Sequence, residues 1–303
     1  MELSRIVFVQ VLIIFVLMAV GFVCSKARLI NEKGTRQMTD VLLLIVMPCV
    51  LIKAYQKEFS KELIFGLLMS ALFALVIHII GIVISTLIFK KEESLRYRIN
   101  IFSSVYSNCG FMAIPLLNAA VGTDGVFYGS AYLAVFTILN WTHGICLYSG
   151  SLKEISVKKI ITNPGIIGTT IAIILFVMGI KLPYVLEESV SYLAGLNTPL
   201  AMIVTGAYLT RVDFKKALKN VSIYLVSLLR LVVVPIIAVV VAKIINIDAL
   251  IAKSVLISAA CPTAAIAALF ATKYELDSTY AAEVVSITTI LSVVTIPLVL
   301  MLF

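Results

Sequence analysis

The chain has 303 residues, of which 61% are hydrophobic and 13% charged, and its mean hydropathy is +1.11. A soluble globule of this composition would lack the polar residues to cover its surface, so the sequence reads as a polytopic membrane protein. The formal net charge of +8 does not point to nucleic acid, because the basic residues sit in short loops between apolar runs, where they set topology.

A helix of about 17 to 25 apolar residues crosses the hydrocarbon of a bilayer. Ten such spans are predicted, at 4–24, 37–54, 62–89, 98–119, 124–148, 161–179, 188–209, 219–242, 250–271 and 277–302. The first follows "MELSR" like a secretory leader, but it is long and has no small-x-small cleavage pattern before "KARLINEKG", so it counts as a span. The second carries Pro48 and the third has His78 at its middle. The fourth contains "SNCGFMAIP" at 107–115, with Asn108, Cys109, Gly110 and Pro115 where a plain anchor would be apolar. Asp124 precedes the fifth, whose later half carries Asn140, Trp141 and His143; Trp141 reads as packing or as an interfacial anchor. Pro199 lies in the seventh span and Arg230 in the middle of the eighth. The ninth contains "AACPTAAIA", with Cys261, Pro262 and Thr263, and the tenth starts after Asp277 and holds Glu283. Gly66, Gly81, Gly129, Gly168 and Gly206 read as points of close helix approach.

Sixteen Lys and Arg residues, among them Lys91 and Arg211, fall in loops on one side of these spans and seven on the other. Positive loops stay cytoplasmic, so both termini are predicted to face outward from the cell membrane. The basic linker at 149–160 separates five spans in 1–148 from five in 161–303. An odd number per half inverts the second relative to the first, which predicts an inverted repeat. Single residues agree: Pro48 with Pro199, His78 with Arg230, and Asp124 with Asp277, at offsets of 151, 152 and 153. Both aspartates read as helix N-caps. The offset of the aspartates also brings Asn108 onto Cys261 beside Pro262, so both halves interrupt the same helix.

Proline and glycine inside a span free backbone groups that protein, water or ligand must satisfy. Two interruptions at matching places of an inverted repeat predict a midplane substrate site. Each break exposes the N-terminus of its second half-helix, an end that suits a carboxylate or another oxyanion. Arg230 adds positive potential, by direct contact with substrate or by anchoring the unwound segments. His78 is either a hydrogen-bonded interior group or a proton-coupling site, and Glu283 either pairs with Arg230, takes a coupling proton or faces solvent. No pair of acidic residues lies near either break, as a site built for cations would need. The five cysteines form no CxxC pair, so no disulfide framework, metal site or other cofactor is expected. No GxSxG, HExxH or P-loop pattern is present, which argues against an enzyme and against ATP-driven transport by this chain alone.

With "MPCVLIKAY", "SNCGFMAIPLLNAAVG", "TNPG", "RLVVVP" and "CPTAAIAALFATKYELD" in this order, the chain resembles the auxin efflux carrier family from end to end. That family includes plant auxin exporters and bacterial permeases for malate, malonate and related acids. The resemblance implies an all-α integral membrane fold of ten transmembrane helices in two inverted five-helix repeats, with broken, crossing helices 4 and 9. Sodium–proton antiporters and bile-acid transporters have a similar arrangement. It also implies a scaffold from spans one, two, six and seven, often a homodimer in the membrane lipid, and a mobile transport domain from spans three to five and eight to ten. The family's substrate-contacting asparagine falls on Asn108, and its crossing prolines on Pro115 and on Pro262 or the stretch after it. Asn163 and Pro164 match the start of its sixth span, while Gly165 stands where plant members carry a polar residue. The expected function is elevator-type transport of a small organic anion, with a proton, sodium or the membrane potential as the drive. A sodium-coupled symporter of the bile-acid type and a membrane receptor for a carboxylate are the alternatives.

Overall fold

Apolar runs removed from water must pair their backbone groups within the segment, and helices do so completely. In the computed structural model, which describes residues 2–90, 94–210, 212 and 214–302, the main helices are α1 (Glu2–Lys26), α2 (Glu32–Ala54), α3 (Lys61–Phe89), α4 (Arg96–Val105), α5 (Cys109–Ser149), α6 (Pro164–Val177), α7 (Tyr184–Leu209), α8 (Val221–Ile245), α9 (Ala249–Ala260), α10 (Ile266–Lys273) and α11 (Ser278–Leu300). Lys91 and Arg211 lie outside the described residues. Among the described residues, α1, α2, α3, α5, α7, α8 and α11 are long and apolar enough to cross a membrane, while α6 and α9 are shorter apolar helices. The architecture is that of an all-helical integral membrane protein.

Polar residues start many of these helices by accepting an otherwise orphaned backbone N–H. Ser60 caps α3 through Leu63 N, Asn163 caps α6 through Gly165 N, and Asp248 caps α9 through Leu250 N and Ile251 N. Asp277 caps α11 through Tyr280 N at 2.9 Å, as expected. The Asp124 carboxylate instead forms an ion pair with Lys57, just beyond the end of α2. The second part of predicted span four and all of span five run on in α5, whose direction changes at Gly122, where φ is 74°. A side chain there would be strained.

Proline is accommodated inside three helices by one device. Wide turns with an extra residue occupy Leu42–Val46, Cys109–Ala113 and Leu229–Val233, and Pro48, Pro115 and Pro235 follow them at the second position. The wider turn relieves the clash between the proline ring and the carbonyl four residues back.

Close packing fixes the relation of α1 to α7. A Cβ on Gly206 would fall on the Met18 carbonyl, and a Cβ on Gly21 on that of Ile203, so each backbone needs the other's missing side chain. Gly66, Gly129 and Gly168 are similarly crowded, by Tyr128, Leu117 and Pro48, whereas Gly81 has ordinary spacing. The lipid-facing surface is apolar: Phe65, Leu68, Leu72, Val83 and Leu87 form an exposed stripe along α3. A second core joins α4, α5, α8, α10 and α11 around Phe102, whose ring lies 5.1 Å from Tyr148 and 5.8 Å from Phe270.

Candidate functional site

The stretches predicted as spans four and nine each contain two helices, and their interruptions meet. After α4 ends at Val105 the backbone opens at Tyr106, and after α9 ends at Ala260 it opens at Cys261. Ser107 and Thr263 then pair in antiparallel fashion. Asn108 N donates to the Pro262 carbonyl at 2.7 Å, and Ala264 N to the Tyr106 carbonyl at 2.9 Å. The groups released by the two breaks thus satisfy one another, which makes irregular backbone tolerable deep in an apolar protein. Thr263 reinforces the pairing: its Oγ1 donates to the Ser103 carbonyl at 2.8 Å and its N to Thr288 Oγ1 at 3.3 Å.

Behind this crossing lies Arg230, fully buried. Its Nη1 donates to the Val105 carbonyl and, at 3.5 Å, to that of Ser104; its Nη2 donates to the Ala259 carbonyl. His78 is also buried, with Nδ1 donating to the Ala74 carbonyl at 2.8 Å and its ring 4.9 Å from that of Tyr132. Tyr132 in turn accepts from Ser107 Oγ at 3.3 Å. Glu283 is buried within α11.

On the other side of the crossing opens a cavity of about 450 Å³. Asn108 and Gly110 line it, together with Thr39 and Tyr208 from α2 and α7, Asn140 from α5 and Ser286 from α11. Leu43, Met47, Leu133, Phe136, Ile266 and Leu269 supply an apolar wall. Its lining contains no Lys, Arg, His, Asp or Glu among the described residues. The Asn108 side chain is 7% exposed and makes no hydrogen bond among the described residues, so its amide is free to meet a ligand. The starts of two helices reach the same space, α5 through Gly110 and Phe111 and α10 through Ile266, and neither has a side-chain cap. At α10 the Ala267 and Ala268 N–H groups donate to the Ala264 and Ala265 carbonyls at 3.0 and 3.3 Å, which leaves the first N–H of each helix to find an acceptor outside it.

Of the residues singled out from sequence, Asn108, Gly110, Asn140 and Trp141 therefore line the cavity. Cys109, Pro115, Cys261, Pro262 and Thr263 are buried at the crossing outside its lining, as are His78, Arg230 and Glu283 farther away. Asn163, Pro164 and Gly165 reach it from the start of α6. Thr39, Tyr208 and Ser286 had no assigned role. A signal existed for the first, because Thr39, Leu43 and Met47 follow one another at intervals of four along a single helix face.

The model of the membrane transport protein family matches residues 6–300. An uncharacterized transporter of Methanocaldococcus jannaschii is 28% identical over 302 residues, which cover 95% of this chain and 96% of that protein. One of Methanothermobacter thermautotrophicus is 23% identical over 302 residues, 95% of each. The matches run from the first helix through both interruptions to the last, and on that extent the chain belongs to the membrane transport protein family, the auxin efflux carriers.

Proposed function

We propose that this membrane transporter is a secondary carrier that moves a small organic anion by alternating access. The observation that carries the reading is the free Asn108 amide beside two uncapped helix starts, at the wall of a cavity whose lining has no charged side chain. Each helix start contributes about +0.5 elementary charge, so the pair offers about +1, enough for one carboxylate. The apolar wall suits the body of such a molecule better than a second charge.

The crossing pairs α4–α5 with α9–α10, and this supports a ten-span inverted repeat in which the crossed segments move as one body. In this reading, the scaffold of spans one, two, six and seven forms a homodimer in the cell membrane with both termini outside. Most of the lining lies in the helix parts nearest the basic loops, from Thr39 on α2 to Tyr208 on α7 and Ser278 on α11, with Met47 and Gly110 at its inner end. The proposed state is therefore open to the cytoplasm. Proton coupling, sodium coupling and potential-driven movement differ in what drives the anion, not in where it binds.

Purified protein in proteoliposomes tests the proposal with a panel of labelled monocarboxylates and dicarboxylates. Saturable uptake of a monocarboxylate, reduced by Asn108→Ala, is the expected result. Saturable binding without flux would establish the receptor instead, and flux that requires sodium the bile-acid-type symporter.

A further inference from the structure

We infer that Arg230 is a positioning residue, which locks α4 and α9 into one unit by neutralising both of their C-terminal ends. This rests on the crossing at the centre of the proposed function, but concerns how that crossing is held rather than what it carries. A buried guanidinium is tolerated only when its charge and its donors are matched. Here Nη1 and Nη2 donate to backbone carbonyls, those of Ser104 and Val105 at the end of α4 and of Ala259 at the end of α9, while Nε has no partner among the described residues.

Those carbonyls are the acceptors that an interrupted helix leaves without a partner. Each helix C-terminus carries about −0.5 elementary charge, so two together carry about −1, which one guanidinium balances without a carboxylate. The planar fork of arginine can reach two chain ends at once, with Nη1 on one and Nη2 on the other, whereas the ammonium of lysine is a single point. The balance also explains a division of charge across the crossing: the negative ends are neutralised on the Arg230 side, while the positive starts of α5, at Gly110, and of α10, at Ile266, line the cavity. Arg230 itself is not in the cavity lining, so it acts through the backbone it holds.

The test uses the narrow antiparallel pair Ser107 and Thr263 as a reporter of register, because such pairs bring Cα atoms to about 4.5 Å, within disulfide range. In a full-length protein whose Cys24, Cys49, Cys109, Cys146 and Cys261 are replaced, Ser107→Cys with Thr263→Cys should close rapidly under mild copper-phenanthroline oxidation. Arg230→Gln is expected to slow closure by about tenfold or more, as loss of one charge-assisted hydrogen bond implies. Arg230→Lys, which keeps the charge but not the fork, should fall between the two. Closure at the parental rate in both variants overturns the clamp, as does failure of the parent to close. If Arg230→Gln does not fold, slower closure in a folded Arg230→Lys protein supports the clamp and an unchanged rate overturns it. Transport is measured separately, so loss of flux with normal cross-linking counts against the proposed function and not against Arg230.

Discussion

At the scale of single residues, what distinguishes Asn108 from its neighbours is the lack of a partner. Thr263 and Ser107 spend their hydroxyls inside the crossing, on the Ser103 carbonyl and Tyr132, whereas the Asn108 amide spends nothing. The consequences of removing them should differ. Asn108→Ala should raise KM for the transported anion by about tenfold, the worth of one hydrogen bond to a charged group, and leave the melting temperature unchanged. Thr263→Val should destabilise the fold by about 1 kcal/mol, through the stranded Ser103 carbonyl, as thermal unfolding in detergent would show. In the proposed reading, the amide that contributes nothing to stability is the one left to bind the anion.

At the scale of elements, helices here are interrupted in two physically distinct ways. A wide turn before Pro48, Pro115 or Pro235 absorbs the proline and lets the helix continue. The opening at Cys261 and Pro262 ends α9 outright, and its backbone finds partners in another segment. The opening at Tyr106 ends α4 in the same way, and only such openings produce the free helix ends that the proposed site uses. The contact between α1 and α7 is of another type, set by what is missing at Gly21 and Gly206. Gly206→Ala places a methyl group on the Met18 carbonyl and should cost about 1–3 kcal/mol of stability, the range for overpacking, with a matching fall in the heat-denaturation midpoint.

At the scale of the whole molecule, the cavity opens between helices at one end while an ion pair spans the other. Lys57 follows α2, which lends Thr39, Leu43 and Met47 to the cavity, and Asp124 lies in α5 far from its cavity-lining Leu133 and Asn140. If α5 moves relative to α2 during transport, this pair must break. A partly exposed ion pair is worth about 0.2–1 kcal/mol, so Asp124→Asn should shift the balance of states by up to about fivefold. The measurement is labelling of Asn108→Cys, in protein whose five native cysteines are replaced, by a membrane-impermeant thiol reagent added on the Lys57 face. Faster labelling is expected, and restoration by the swapped pair Lys57→Asp with Asp124→Lys would tie the effect to the ion pair. Unchanged labelling in Asp124→Asn would remove the pair from the gating step.

Composition and apolar run length by themselves determined that the chain is helical and belongs in a membrane, since a segment without water must pair its own backbone. Local chemistry also located both interruptions, because proline and glycine act on the turn in which they stand. Asp277 as a cap was legible for the same reason, while Asp124 was not, because Lys57 competes for its carboxylate from a distant segment. Only the tertiary structure decided which polar groups face the cavity. Asn108 and Arg230 both read as polar intrusions in apolar spans, yet one lies open to the cavity and the other is fully buried against the ends of α4 and α9. Helical periodicity reports that a residue lies on a given face; what that face meets depends on segments more than a hundred residues away, as with Ser107 and Thr263.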